Sequence, residues 1–259
     1  MSDDIKVEDR GWLLVITLDR AEKRNALTRA MLESLRELFS SLHTRETLRA
    51  VILTGAGQAA FCAGTDIGDL AALDTEGARE TSRRGQEACD AIELCNVPVI
   101  AAVNGVAAGG GCELALACHL RVAARHATFS LPETLLGVLP AYGGTQRLAR
   151  AVGTGRALAA MLAGDALAAD EAQRLGVVNR VAERDQLMTE AESLARATSE
   201  HAPLAVRACL EAVTRGARLP LAEGLALEAE LFSRLFSTED VREGTRAFLE
   251  KRKPSFRGQ

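Results

Sequence analysis

The order of apolar strands and amphipathic helices in the first part of the chain constrains the fold more than any other feature. Residues 12–18, 51–54 and 99–103 are short, β-branched apolar runs that predict buried strands. Between them, residues 31–42 and 77–94 have the spacing of long helices, the first after an N-cap at Thr28. A strand–helix–strand–helix–strand order predicts a parallel sheet with crossover helices.

The pattern changes after about residue 143, where almost all of the remaining chain predicts helix. The exception is a short apolar run at residues 177–181. We therefore expect an α/β core followed by a helical C-terminal region. The predicted helices cover residues 145–152, 154–163, 168–175, 184–198, 202–214, 219–235 and 238–251.

Composition limits the class of protein. The 259 residues carry 31 basic and 35 acidic side chains, a formal charge of −4 that gives no general attraction to nucleic acid or an anionic membrane. The acidic start lacks an apolar signal segment, which predicts a cytoplasmic protein. The six cysteines form no CxxC pair and only four histidines are present, so we expect no metal site and buried free thiols.

Three loops follow predicted strands, where open α/β sheets bind their ligands. They cover residues 55–67, 104–113 and 129–133. The second contains three consecutive glycines that lead directly into a predicted helix at residues 112–118, so that backbone N–H groups can approach a ligand closely. A tight turn without a ligand remains an alternative. A phosphate loop is disfavoured because no Lys-Ser or Lys-Thr follows.

Two glutamates in apolar surroundings indicate acid–base chemistry. Glu113 lies in a helix that is apolar nearly all round, where a carboxylate is costly unless it is paired, protonated or catalytic. Glu133 follows Pro132 in a second apolar stretch, and there a structural role at a helix start is as plausible as catalysis. A helix-capping role is also open for Glu113. Together, two carboxylates can divide general acid and general base work.

These loops resemble the enoyl-CoA hydratase/isomerase (crotonase) superfamily. The similar segments are FCAGTDI at 61–67, NGVAAGGGCELA at 104–115, LPETLLG at 131–137, GGTQRL at 143–148 and AFLEKRK at 247–253. The resemblance implies a ββα spiral core with the active site at residues 1–195. It also implies a helical region at 196–259 that mediates assembly into a homotrimer or a hexamer built as a dimer of trimers.

The resemblance implies that the backbone N–H groups of Thr65 and Gly110 hold the carbonyl oxygen of a thioester, although members more often carry a smaller residue than Thr65. It assigns Glu113 as the base on water and Glu133 as the proton donor to the α-carbon. The implied activity is hydration of a trans-2-enoyl-CoA, as in fatty acid β-oxidation. A Δ3-Δ2 enoyl-CoA isomerase, a hydratase of branched or hydroxylated acyl-CoAs and, remotely, an RNA-binding homologue remain alternatives.

The coenzyme A part of the substrate has its own implied contacts, and the resemblance implies no further cofactor. The basic C-terminal stretch that contains Lys251 is either a solvated tail or the segment that reaches the phosphates from a neighbouring subunit. No membrane partner is expected. The implied coenzyme A contacts are Lys23, Arg24, Ala26, Ala63, Asp66, Ile67, Phe248 and Lys251.

Overall fold

A large, mostly parallel sheet forms the centre of the molecule. A computed structural model describes residues 2–259, and in it six strands lie in the order β1-β2-β3-β5-β7-β10. Only the β1–β2 hairpin is antiparallel. Every residue of β3 is buried, as expected for an apolar strand covered on both faces. The strands are β1 Ile5–Asp9, β2 Leu13–Leu18, β3 Ala50–Gly55, β5 Val99–Val103, β7 Leu120–Ala124 and β10 Arg180–Ala182.

A second, smaller sheet lies beyond the first and carries the loops that the sequence singled out. Its strands lie in the order β4-β6-β8-β9, with β4, β6 and β8 parallel and β9 antiparallel to β8. The prediction that these segments are loops was therefore wrong in part, because strands of two or three residues are too short to show an alternating pattern. The strands are β4 Ala60–Cys62, β6 Val106–Ala108, β8 Thr128–Ser130 and β9 Leu167–Ala168.

Eleven α-helices lie within residues 2–259, and the predicted helical C-terminal region is confirmed. Thr28 caps the first helix as predicted, since its hydroxyl accepts a hydrogen bond from the Met31 N–H at 3.2 Å. The helices are α1 Arg29–Ser41, α2 Ile67–Ala71, α3 Thr75–Glu93, α4 Gly110–Ala117, α5 Gly144–Val152, α6 Thr154–Ala163, α7 Ala169–Arg174, α8 Leu187–Ser199, α9 Pro203–Gly216, α10 Leu221–Leu235 and α11 Glu239–Leu249.

Helix α8 spans the boundary predicted between residues 195 and 196. Leu187, Ala191 and Ala195 are its buried residues, and it packs on β3, β5 and β7 of the large sheet. The division of the chain into two units at this position stays a prediction. Within residues 2–259, no helix combines the length and the apolar character needed to cross a lipid bilayer.

The core accommodates most of the cysteines. Cys62, Cys89, Cys95, Cys112 and Cys118 are buried free thiols, as predicted. Cys209 is the correction, because it lies exposed on α9. Its apolar sequence neighbours belong to a helix with no buried residue among those described, so their apolar character does not imply burial.

Candidate active site

The parallel strands β4, β6 and β8 bring the three predicted loops to one cavity. Because the three strands are neighbours, the segments that follow them leave the small sheet side by side. The cavity has a volume of about 380 Å³ and both glutamates line it. Among its other lining residues are Ala63, Gly64, Thr65, Ile67, Leu70, Leu73, Gly109, Gly110, Pro132, Leu136, Leu139 and Tyr142.

Glycines allow the first two loops to touch. A Cβ atom on Gly64, whose φ is +101°, would lie 2.9 Å from the Ala108 carbonyl oxygen and 3.4 Å from the Gly110 nitrogen. Only a residue without a side chain fits at that distance in that backbone conformation. The loop that carries Thr65 is therefore held against the start of α4.

The N–H groups of Thr65 and Gly110 have no acceptor among residues 2–259. Around Thr65, the Leu27 N–H donates to the Gly64 carbonyl at 2.7 Å and the Asp66 N–H donates to the Leu27 carbonyl at 3.0 Å. That pairing uses the groups on either side of Thr65 and leaves its own N–H available. Two free amides beside one cavity can together bind an oxygen that carries negative charge.

Glu113 is held at the beginning of another helix. Its side chain lies in α4 and is only 1% exposed, yet it does not cap its own helix. One carboxylate oxygen, Oε1, accepts hydrogen bonds from the Tyr142 N–H at 2.8 Å and from the Gly144 N–H, the first residue of α5, at 2.6 Å. Burial raises the pKa of Glu113 to about 7, against the opposing effect of these two donors.

Glu133 has a different environment. It begins a 3₁₀ turn, Glu133–Leu136, directly after Pro132, as its structural alternative predicted. Its Oε1 would lie 3.0 Å from a Cβ atom on Gly109, and its buried Oε2 has no hydrogen-bond partner among residues 2–259. Burial raises the pKa of this carboxyl group too. The two donors to Glu113 favour its carboxylate but do not offset its deeper burial, whereas Oε2 of Glu133 has no donor that favours ionisation.

The contacts of two neighbouring residues, Tyr142 and Arg147, were not predicted from the sequence. The Tyr142 hydroxyl lies 2.8 Å from Thr65 Oγ1, and the Arg147 guanidinium donates to the Tyr142 carbonyl at 3.0 Å. Arg147 also pairs with Asp90 and Glu93 on α3, each at 2.7 Å. The only available signal was that the single tyrosine of the chain directly precedes a glycine pair at a helix start.

The predicted coenzyme A residues of the first two loops lie together. The Ala63 N–H donates to the Arg24 carbonyl at 3.0 Å. Arg20, which sequence reasoning missed, joins the loops further because its guanidinium donates to the Ala26 carbonyl at 2.7 Å and lies 3.5 Å from Asp66. The structure thus brings together Lys23, Arg24, Ala26, Ala63, Asp66 and Ile67.

Phe248 and Lys251 do not join this group within one chain. Phe248 lies at the end of α11 with 83% of its side chain exposed, and Lys251 follows the helix with a left-handed φ of 53°. Neither residue lines the cavity. A role for them in binding coenzyme A stays a prediction.

Comparison with known proteins gives one consistent family. Residues 8–259 match the family model described as enoyl-CoA hydratase/isomerase. The short-chain-enoyl-CoA hydratase of Clostridium acetobutylicum is 40% identical over 251 residues, covering 97% of this chain and 96% of the relative. The crotonyl-CoA hydratase of Syntrophomonas wolfei is 39% identical, covering 98% of each chain. The crystal structure of an enoyl-CoA hydratase from Bacillus anthracis superposes with a TM-score of 0.95, at 38% identity and with coverage of 99% of this chain and all of the other.

Proposed function

The chain belongs to the enoyl-CoA hydratase/isomerase family and is an enoyl-CoA hydratase, a hydro-lyase, and we propose how its residues add water to a trans-2-enoyl-CoA. The observation that carries the proposal is the pair of glutamates in one cavity, beside two free backbone amides. The product is the 3-hydroxyacyl-CoA, formed by syn addition through a thioester enolate.

The Thr65 and Gly110 N–H groups form the oxyanion hole. They bind the thioester carbonyl oxygen, and their hydrogen bonds strengthen as negative charge builds up on it, so they stabilise the transition state more than the ground state. Loss of one such donor costs about 3–4 kcal/mol of barrier.

Each glutamate handles one proton of the addition. Glu113 takes a proton from water while the water oxygen bonds to C3, and the electron pair of the C2–C3 double bond moves towards the carbonyl oxygen. The enolate then takes a proton at C2 from Glu133, which is left ionised, and transfer of the proton that Glu113 gained to Glu133 restores the starting state. A base with a pKa of about 7 is well matched to neutral pH. Since the two groups share one cavity, their titrations are coupled.

Binding of the coenzyme A moiety involves two loops and a neighbouring subunit. Backbone and side-chain groups of Lys23, Arg24, Ala26, Ala63, Asp66 and Ile67 hold the adenine and pantetheine parts. Phe248 and Lys251 of an adjacent subunit contact the same moiety, which makes a homotrimer, or a hexamer of two trimers, the active form. The exposed side chains of Leu221, Leu225, Phe232 and Phe236 on and after α10 supply apolar surface for this assembly. No cofactor beyond the coenzyme A of the substrate takes part, and we place the enzyme in the cytoplasm, in fatty acid β-oxidation.

The relatives suggest which acyl groups to test first. One is named short-chain-enoyl-CoA hydratase, one crotonyl-CoA hydratase and a third, from Escherichia coli at 39% identity over 99% of each chain, 2,3-dehydroadipyl-CoA hydratase. Crotonyl-CoA, the four-carbon substrate, is the appropriate first substrate.

The test is the loss of enoyl absorbance with crotonyl-CoA, measured for the wild type beside Glu113→Gln and Glu133→Gln. Both variants should lose hydration, and Glu37→Gln, an exposed carboxyl on α1, should retain it. A wild type that is inactive on crotonyl-CoA but moves a 3-enoyl-CoA double bond, with Glu113→Gln still active, would favour the isomerase. Lys251→Ala should raise KM, and sedimentation should give the mass of a trimer or hexamer.

A further inference from the structure

A second cavity adjoins the active cavity. It has a volume of about 340 Å³ and is lined by Leu27, which precedes α1, by Leu32 on α1 and by Arg84 on α3. The Arg84 guanidinium is already paired with Glu33 at 3.2 Å and with Glu80 at 2.9 Å. Arg29, Asp69 and Glu80 also line this cavity, and Arg29 is paired with Glu33 at 2.8 Å, so it is the leucine side of the cavity that suits an apolar occupant. The two cavities share the lining residues Thr65, Leu70, Leu73, Thr81 and Tyr142.

Tyr142 and Thr65 are the shared residues that contact each other. The Tyr142 side chain is 3% exposed, and its hydroxyl is 2.8 Å from Thr65 Oγ1. The ring packs between two helices, since a Cβ atom on Gly110 would lie 2.9 Å from the ring atom Cε2. The ring and the threonine thus close one side of the cavity that holds Glu113.

Helix α3 has a glycine at the position where the Tyr142 ring packs against it. Gly85 lies in the interior of α3, and a Cβ atom there would lie 2.0 Å from Tyr142 Cδ1. Glycine destabilises a helix interior relative to alanine, so its presence needs a packing reason. The close approach of the ring supplies that reason.

We propose that the Tyr142 ring, held by the Thr65 hydroxyl, is a specificity-determining wall that confines the acyl chain to the first cavity and limits its length. This inference rests on the proposed hydratase function and adds the substrate class, short acyl-CoA thioesters. The second cavity is the space that a longer chain would enter if the wall were absent. Its apolar lining by Leu27, Leu32, Leu70 and Leu73 would then bind additional methylene groups.

The experiment compares two substrates in one set of variants. In Tyr142→Ala the ratio of kcat/KM for trans-2-octenoyl-CoA to that for crotonyl-CoA should rise about tenfold or more, because buried methylenes give discrimination of that order. Leu32→Phe, which fills only the second cavity, should leave the wild-type ratio unchanged and should reverse the gain in the double variant.

Leu136→Ala is the matched control, because Leu136 lines the first cavity and not the second. If the kcat/KM ratio rises in Leu136→Ala, adding Leu32→Phe should not reverse that rise. An unchanged kcat/KM ratio in Tyr142→Ala would overturn the proposal that Tyr142 limits the acyl chain, and so would a gain in that ratio that Leu32→Phe does not reverse. Hydration of crotonyl-CoA by the wild type would still support the proposed function in either case.

A binding measurement keeps the test valid if Tyr142→Ala loses catalysis. The ratio of Kd values for octanoyl-CoA and butanoyl-CoA should then shift in favour of the longer chain by a similar factor. Tyr142→Leu, which retains more apolar volume, serves if the alanine variant does not fold, and it should shift both ratios in the same direction. An unchanged Kd ratio in either variant would refute the proposal that the Tyr142 ring limits the length of the acyl chain.

Discussion

Replacement of Glu113 by glutamine should stabilise the folded protein at alkaline pH while it removes activity. The pKa of this buried carboxyl group is raised from 4.5 to about 7, chiefly by burial. The folded state therefore binds the proton more tightly than the unfolded chain does, and stability is lost as pH rises from about 4.5 to about 7. Above that range the ionised glutamate destabilises the fold by a constant amount.

The magnitude follows from the change in pKa. At about 1.4 kcal/mol per pH unit, a rise from 4.5 to about 7 corresponds to roughly 3 kcal/mol. Glutamine never ionises, and its amide oxygen can still accept the hydrogen bonds that the Tyr142 and Gly144 N–H groups donate to Oε1. For a chain of this length, about 3 kcal/mol raises Tm by roughly 6 °C.

The assay is thermal unfolding of the wild type and Glu113→Gln at pH 8 and pH 5, at equal protein concentration because assembly contributes to Tm. The difference in Tm should be large at pH 8 and much smaller at pH 5. Glu37→Gln removes an exposed carboxyl group on α1 and should shift Tm little at either pH. A glutamine variant that is less stable than the wild type at pH 8, or equally shifted at both values, would refute the assignment of a destabilised carboxylate.

Three other predictions concern the groups around this carboxylate and the loop beside it. Gly144→Ala places a Cβ atom 2.8 Å from Glu113 Cγ and so displaces the carboxyl group. The rate of crotonyl-CoA hydration should fall about 100-fold with an unchanged circular dichroism spectrum, and near-normal activity would contradict this prediction. Arg147→Gln removes a hydrogen bond to the Tyr142 carbonyl and a positive charge that lowers the pKa of Glu113. The acid limb of the pH profile of kcat/KM should therefore move to higher pH, and a move to lower pH would contradict the prediction. Asn25→Ala removes three hydrogen bonds of a buried side chain, which accepts from the Arg20 N–H and donates to the Ala56 and Ala60 carbonyls. Denaturant unfolding should show a loss of about 3 kcal/mol, which a loss below about 1 kcal/mol would exclude.

The sequence predicted the elements that have a long, regular apolar pattern. Most strands of the large sheet and most of the helices lie close to their predicted bounds, because burial of an apolar face imposes a period that can be read locally. Strand β7 and helix α2 were not predicted. The small sheet was missed because β4, β6 and β8 have three residues each. Their pairing depends on neighbours that are distant in the sequence, and no local pattern records it.

The candidate site could also be predicted only in part from the sequence. Glu113 and Glu133 were found because carboxylates in apolar stretches are conspicuous. The donors that hold Glu113 were not, since Tyr142 and Gly144 lie 29 and 31 residues further along the chain. Contacts of that separation are set by how α4 and α5 pack, which residue types alone do not specify.

The division of labour between the two glutamates has a structural cause that is independent of their shared residue type. Both are buried, and burial alone would favour the protonated form of each. The beginning of α5 supplies two N–H donors to Glu113 and so favours its carboxylate, while Oε2 of Glu133 has no partner among residues 2–259. The deeper burial of Glu113 outweighs these donors and holds its pKa near 7, so the pair still shares a proton close to neutral pH. Addition of water proceeds from the state in which Glu113 is ionised and Glu133 is protonated, and the helix start beside Glu113 favours that state.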